Sequence, residues 1–380
     1  MKRKIAVTTG TRAEYGILRP VLHEIKKSRK LDLFLIVSGT HLSKKYGSTI
    51  NEIKNDGFLV NAKVPMTPKG NQNYHMAKIL GSGISLFSDI FNKHKPDINL
   101  ILGDRDEVLA SALAASHMNI PNAHIHGGDK TQAGIDEYNR HVITKLSNIH
   151  FAATALSKKR ILKMGENPKF VFKVGSPSID ELKQQKISSK TDLENKYDII
   201  FSGDEIMLLQ HPVTTQSKKS REQILATLNA IKKLKKTTIT IGPNSDAGNE
   251  EIFEELLKFS KNNTFFHFFE NLPRRDFLGF LKNVDVLVGN SSSGIIECSF
   301  FDTPVVNIGI RQNDREHGPN IVNVKTFSKN SIYSGIIKAK NLNSHKSSML
   351  YGSGDSSIQI RKILEEIPLD EKLIMKKITY

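Results

Sequence analysis

What most constrains this chain is alternation: short apolar runs of strand length recur between segments with helical apolar spacing along its whole length. In the first half the strand-like runs cover 5–9, 31–38, 98–103 and 150–154, separated by helical patterns such as 17–27 and 107–116. In the second half the runs 198–202, 206–210, 237–242, 265–269, 284–289 and 304–308 alternate with helical patterns over 220–234, 249–260, 275–281 and 293–300. Parallel strands need a long crossover, usually a helix, and those helices cover both faces of the sheet. The fold class expected is therefore α/β with mostly parallel sheets.

At 380 residues the chain has room for two domains, each with its own core. A stretch rich in Lys, Gln and Ser over 180–196 follows Gly175-Ser176-Pro177-Ser178 and parts two Rossmann-like runs. We expect a first domain over 1–178, a hinge over 179–196 and a second domain over 197–359, the two sheets facing each other across a cleft. The last stretch, about 360–380, is helical in pattern up to Pro368 and is expected, by analogy with such folds, to pack back on the first domain.

Hydrophobic content of 38% and charged content of 25% are globular values, which excludes disordered and fibrous classes. The single cysteine, Cys298, has no partner for an internal disulfide and leaves no Cys-based zinc site. It falls in an apolar helix and reads as core. The apolar run after the basic tip Lys2-Arg3-Lys4 is too short for a signal peptide, and nowhere do about 18 apolar residues run together. A cytoplasmic protein without a membrane partner is expected. The net charge of +16 invites a nucleic-acid partner, but the lysines lie in scattered clusters over 26–30 and 232–236, without interleaved aromatics or a nucleic-acid motif. They read as solvated helix faces, so no nucleic-acid partner is expected; a non-catalytic polyanion-binding protein is the alternative from another class.

In open α/β sheets ligands bind beyond the carboxyl ends of the strands, so the loops after strands carry the chemistry. Gly10-Thr11-Arg12 turns from the first strand into a helix, presenting free N–H groups and a cation, without the spacing of an ATP or dinucleotide loop. Asp104-Arg105-Asp106-Glu107 ends another strand; an Asp beside an Arg pairs a base with a phosphate clamp, while Asp106 and Glu107 also suit a helix start. The richest segment runs from His124 to His141 and includes His126, Asp129, Asp136, Glu137 and Arg140. Metal binding is one reading, but H-E-x-x-H spacing is missing and Lys130 and Arg140 repel a cation, so no metal or cofactor is expected. Acid/base catalysis and loop stabilisation remain, with a helix expected from Val142 onward. In the second half, Gly289-Asn290-Ser291-Ser292-Ser293-Gly294 links a strand to a helix. Its N–H groups and hydroxyls suit a diphosphate and Glu297 suits ribose hydroxyls, although capping serines look the same. Arg311 follows the next strand.

These motifs, in this order, resemble the hydrolysing UDP-N-acetylglucosamine 2-epimerases of sialic-acid biosynthesis and their relatives acting on UDP-diacetamido-trideoxyhexoses. They are T-R-A-E-Y-G, S-G-T-H-L, G-D-R-D-E, H-I-H-G-G-D with I-D-E and R-H-x-I-T-K, G-S-P-S-I-D, Q-H-P-V-T-T, P-N-S-D-A-G, G-N-S-S-S-G-I-I-E and T-P-V-V-N-I-G-x-R-Q, from Arg12 to about Arg315. The resemblance implies two Rossmann-like domains of the glycosyltransferase-B type. It places Arg12 and Arg105 near the diphosphate or sugar, and His211, Asn244, Ser291, Ser292, Glu297 and Arg311 around UDP. It maps the acid/base groups onto Asp104, His126 and Asp136, with Asp129 in support; some relatives carry Glu where this chain has His126. The implied reaction is UDP-N-acetylglucosamine plus water to N-acetylmannosamine plus UDP, through a 2-acetamidoglucal. The alternative substrate is a UDP-2,4-diacetamido-2,4,6-trideoxyhexose, and a glycosyltransferase of the same architecture is a further enzyme class. The resemblance implies a homodimer or homotetramer.

Overall fold

The structure is a computed structural model that describes residues 2–43, 48–66, 73–130, 135–184, 187–243, 248–342 and 349–380. The chain forms two compact units, one of Met1–Lys130, Ile135–Glu181 and Gly352–Tyr380, the other containing Leu182–Tyr351.

The first unit runs β1 (Arg3–Thr9), α1 (Arg12–Lys27), β2 (Leu31–Ser38), α2 (Ile50–Asn55), β3 (Ala62–Val64), α3 (Asn73–His94), β4 (Ile98–Leu102) and α4 (Asp106–His117). It continues through β5 (Asn122–Ile125), α5 (Ile135–Leu146), β6 (Ile149–Ala152), α6 (Ala155–Lys163), β7 (Val171–Lys173) and α7 (Pro177–Gln184). Among the described residues its strands make one parallel sheet of order β3-β2-β1-β4-β5-β6-β7. Side chains alternate across a strand, and each face has its own core. Ile5, Val7, Leu35, Val37 and Leu100 pack with Leu18 and Leu22 of α1, whereas Ala6, Phe34 and Ile36 pack with Phe87 and Phe91 of α3 and Ala110 and Ala114 of α4.

The second unit holds α8 (Lys190–Tyr197), β8 (Ile206–Leu209), α9 (Ser220–Leu234), β9 (Thr238–Ile241), α10 (Asn249–Lys261), β10 (Phe266–Phe269) and α11 (Arg274–Asn283). Then come β11 (Val286–Gly289), α12 (Ser292–Phe301), β12 (Val305–Ile308), β13 (Ile321–Val324) and α13 (Lys329–Lys340). The sheet order is β10-β9-β8-β11-β12-β13, again parallel. Ile206, Leu208 and Val288 face α9 and α13, while Met207, Leu209 and Leu287 face α8, α11 and the buried Cys298. The chain ends in α14 (Ser356–Glu366) and α15 (Glu371–Ile374), whose Ile360, Leu364 and Leu373 join the core of β1 and α1.

The alternation expected from sequence is therefore present as two α/β units, with local differences. Residues 198–202 form no strand: Asp198 is left-handed at the end of α8, and the N–H groups of Phe201 and Ser202 bond to the Glu194 and Glu205 carboxylates rather than to a ladder. The stretch 179–196, expected as a hinge, is largely helical. The boundary between units falls inside α7, and α8 opens with a capping box at Ser189 and buries Leu193. The second unit gives way to the first after Tyr351 rather than at 359, because Ser356 and Ser357 already donate backbone N–H groups to the buried Asp180.

Candidate functional site

Strand order reverses at one place in each sheet, between β1 and β4 in the first unit and between β8 and β11 in the second. Loops leaving such a pair diverge to opposite faces and open a crevice. Most of the singled-out residues stand on these loops or on those beside them.

In the first unit Thr11 caps α1 in a capping box with Glu14, a T-x-x-E signal readable in the sequence. The Glu14 carboxylate accepts the N–H groups of Gly10 at 3.0 Å and Thr11 at 2.9 Å. Burial, and then the charge of the neighbouring Glu107, push this carboxyl up to about 7. Gly39 has φ +54° there, and a Cβ on it would collide with Glu107 Oε1 and the Gly10 carbonyl, so only glycine fits. Arg105 Nε lies 3.5 Å from Glu107 Oε2, within the combined field of Glu107, Glu14, Asp136 and Asp106. Arg12 starts α1 but turns outward, pairing with Glu52 at 3.1 Å on the surface.

The helix expected from Val142 begins earlier, at Ile135. Its first turns are polar and face the start of α4, which hides the apolar rhythm. Asp136 lies in the first turn, Asn139 donates to Asp106 at 3.0 Å, and the buried Arg140 forms an ion pair with Asp104. His124, on β5, bonds through Nε2 to the Gly103 carbonyl at 2.8 Å, just before Asp104. Burial pushes its imidazole down to about 3, so it is neutral. His126 leaves the strand at φ +64°, a region non-glycine residues rarely adopt. Its Nδ1 meets Asp129 Oδ2 at 3.2 Å and its Nε2 meets Ser176 Oγ at 2.9 Å; Asp129 Oδ1 accepts from Ser157 at 2.6 Å. Thus Asp104 and Arg105 after β4 form one group, with Asp136 of α5 acting on Arg105 by charge, and His126 and Asp129 after β5 form another. Ser157 and Ser176 lie too far along the chain from His126 for spacing to reveal them.

In the second unit β8 and β11 approach so closely that a Cβ on Gly289, at φ +141°, would strike the Leu209 carbonyl. This contact delivers Asn290, whose amide accepts from the His211 N–H at 2.7 Å and donates to the His211 carbonyl at 2.8 Å. Burial, with Arg311 adding to it, pushes the His211 imidazole down to about 3. Arg311 Nη1 reaches the Asn290 carbonyl at 3.3 Å. Ser291 caps α12, accepting the Ser293 N–H at 3.3 Å, and Ser292 is the first helical residue. Glu297 pairs with Arg274, which the spacing did not single out, and its other oxygen is buried without a hydrogen-bond partner. Asn244 lies outside the described residues.

Among the described residues no group of three or more His, Cys, Asp or Glu could hold a metal ion, and no helix is long and apolar enough to cross a membrane.

Residues 23–365 match the UDP-N-acetylglucosamine 2-epimerase family. The chain is 38% identical to the "UDP-N,N'-diacetylbacillosamine 2-epimerase (hydrolyzing)" of Legionella pneumophila, over 99% of both lengths. It is 32% identical to the "UDP-N-acetylglucosamine 2-epimerase" of Neisseria meningitidis, over 97% of this chain and 95% of that one. Among solved structures, the fold matches the UDP-GlcNAc 2-epimerase of Neisseria meningitidis bound to UDP-GlcNAc with a TM-score of 0.82 at 19% identity, covering 95% and 99% of the two chains. That of Methanocaldococcus jannaschii in complex with UDP-GlcNAc and UDP gives 0.76 at 20% identity, with the same coverage. With a family match across most of its length and two parallel-sheet units of the same fold, the chain belongs to the UDP-N-acetylglucosamine 2-epimerase family.

Proposed function

We propose that the protein is a hydrolysing 2-epimerase of a UDP-2,4-diacetamido-2,4,6-trideoxyhexose, releasing UDP and the free 2-epimerised sugar. The observation that carries this substrate is the relation to the Legionella pneumophila diacetylbacillosamine enzyme over the whole of both chains. A 35% identical relative in Campylobacter jejuni, named "GDP/UDP-N,N'-diacetylbacillosamine 2-epimerase (hydrolyzing)", adds to it over 84% of each chain. UDP-N-acetylglucosamine, the substrate first expected, becomes the second reading, favoured by the relative in Neisseria meningitidis.

The chemistry needs a base at C2, groups to hold the departing diphosphate, and a controlled water. UDP leaves C1 as the C2 proton is removed, giving an unsaturated 2-acetamido sugar. Water then adds at C1 while C2 takes a proton on its other face. Asp104 and Asp136 serve as the acid/base groups, Asp104 held by Arg140 and Asp136 in the field of Arg105. His126 and Asp129 support proton traffic. Arg311 and the N-terminus of α12 at Ser291 and Ser292 hold the diphosphate, Glu297 accepts ribose hydroxyls, and the neutral His211 lines the UDP site.

The test is turnover of UDP-diacetylbacillosamine and UDP-N-acetylglucosamine in deuterated water, followed by NMR. The expected result is UDP release with a higher kcat/KM for the diacetamido sugar and deuterium at C2 of the product. A tenfold preference for UDP-N-acetylglucosamine overturns the substrate, and protium retained at C2 overturns the mechanism.

A further inference from the structure

The hydrogen bonds around His126 determine which way its protons point. Asp129 Oδ2 faces Nδ1 at 3.2 Å, and Asp129 Oδ1 accepts the Ser157 hydroxyl at 2.6 Å, itself 2.9 Å from Thr154 Oγ1. An ionised carboxylate only accepts, so Nδ1 carries a hydrogen, and in the tautomer this selects Nε2 carries the lone pair. The Ser176 hydroxyl, 2.9 Å away, therefore donates to Nε2, and Ser176 Oγ in turn accepts from the Ser178 hydroxyl at 2.7 Å. Carboxylate, imidazole and hydroxyl stand in the order that orients a general base in serine hydrolases. Here, however, the hydroxyl beside the imidazole is fully buried, while Ser178 at the far end keeps 6% exposure. Both ring nitrogens of His126 are engaged by protein groups, and the residue as a whole is buried. Among the described residues, the hydrogen-bonded route to Nε2 runs through the two serines.

The chemistry of those hydroxyls selects the step. A serine is too weak a base to take a proton from carbon, but proton hops between hydrogen-bonded oxygens are easy. Resting on the reading of this chain as a hydrolysing 2-epimerase, we propose that Ser178, Ser176, His126 and Asp129 form a proton relay for the hydration step. As the water oxygen bonds to C1 of the unsaturated sugar, one water proton passes to Ser178 Oγ, the Ser178 proton to Ser176 Oγ and the Ser176 proton to His126 Nε2. The π electrons of the C1–C2 double bond take a proton at C2 from a separate carboxylic acid. Asp129 holds the resulting imidazolium, which returns its proton to solvent before the next turnover. Ser176 is a positioning and relay residue that does not touch the sugar, and the carbon-bound proton stays with Asp104 and Asp136.

The test compares full-length wild type, Ser176→Ala and Ser176→Thr on UDP-diacetylbacillosamine, quantifying UDP, unsaturated sugar and hydrated sugar by NMR. Ser176→Ala should slow hydration by about 10²-fold, the lower end for a lost general base, with KM within about twofold, so that UDP is released together with unsaturated sugar. Ser176→Thr, which keeps the hydroxyl, should bring hydrated product back to within about tenfold of wild type. Should Ser176→Ala fail to fold, Ser178→Ala at the other end of the relay must give the same product split. Hydrated product formed at the wild-type rate by the alanine variant, or equal loss of UDP release and hydration in both Ser176 variants, overturns the relay alone. Wild type that releases no UDP from either sugar overturns the epimerase reading and the relay with it.

Discussion

The two units share one architecture and place opposite chemistry at the same point of it. At the strand ends of the first unit, ionisable groups face other ionisable or hydroxyl groups: Asp104 faces Arg140, Glu107 faces Arg105, and Asp129 faces His126 and Ser157. At those of the second, backbone and neutral groups dominate: the Asn290 amide holds the His211 backbone, Ser291 caps a helix, and Arg311 supplies fixed positive charge. The strand-order reversal builds a crevice in either case, and the loop residues alone decide which groups it presents.

Asp104→Asn attacks this division hardest. It removes a proposed acid/base group and the charge that holds Arg140, so kcat should fall by about 10²–10⁴-fold. UDP affinity by calorimetry should stay within a few-fold, and an equal fall in both would erase the distinction between the two crevices. Glu166→Gln tests how far the first unit depends on paired charge. Glu166 is buried against Lys145 at 2.8 Å, Lys376 at 2.7 Å and His150 at 3.1 Å, and its hydrogen bonds to them hold its carboxyl at about 2 despite burial. Losing it should cost about 3–5 kcal/mol, read as a lower thermal midpoint and as lost amide protection confined to the first unit. A depressed carboxyl stabilises above its ordinary value near 4.5 and loses that contribution as pH falls through about 2. The gap between wild type and variant must therefore narrow in acid; a widening gap would refute the assignment.

Arg311→Ala probes the second crevice. Because Arg311 is proposed to hold the substrate diphosphate equally before and during reaction, its removal should raise KM by about tenfold, near 1.4 kcal/mol, with kcat little changed. A kcat loss of the same size would move Arg311 into the chemistry. The smallest effect is expected from Glu14→Gln. The raised Glu14 carboxyl favours the protonated folded state, so its contribution is present below about 4.5 and lost as pH rises through about 7. The amide keeps the acceptor for the capping box without titrating. Between pH 5 and 8 the variant should gain about 2–4 °C over wild type, the shift of ~1 kcal/mol in a unit of this size. A constant difference in melting scans would show that Glu14 does not titrate.

Much of the fold is written in local pattern. The runs of β1, β2 and β8 to β12 are apolar because both faces of a parallel sheet are covered, and turn residues bound them. The expected strands omit β3, β5, β7 and β13, which are three or four residues long and carry polar groups. In β5, Asn122 and His124 are buried because Asn99, Ser116 and the Gly103 carbonyl satisfy them, and no neighbour in sequence announces that. The early start of α5 is hidden in the same way, since Asp136 and Arg140 answer to groups on α4 and its loop.

The same line runs through the site. Periodicity and the loops after strands determined, from sequence alone, an α/β chain that carries Asp104, His126, Asp136 and Ser291 just beyond its strands, because strand period, turns and helix starts are short-range physics. Only the tertiary structure decided which groups act together. Ser176 meets His126 from 50 residues away, Arg274 meets Glu297, and Glu14 is pushed up to about 7 by burial beside Glu107. Burial and charge pairing depend on distances through space, which the packing of strands sets and their order along the chain does not.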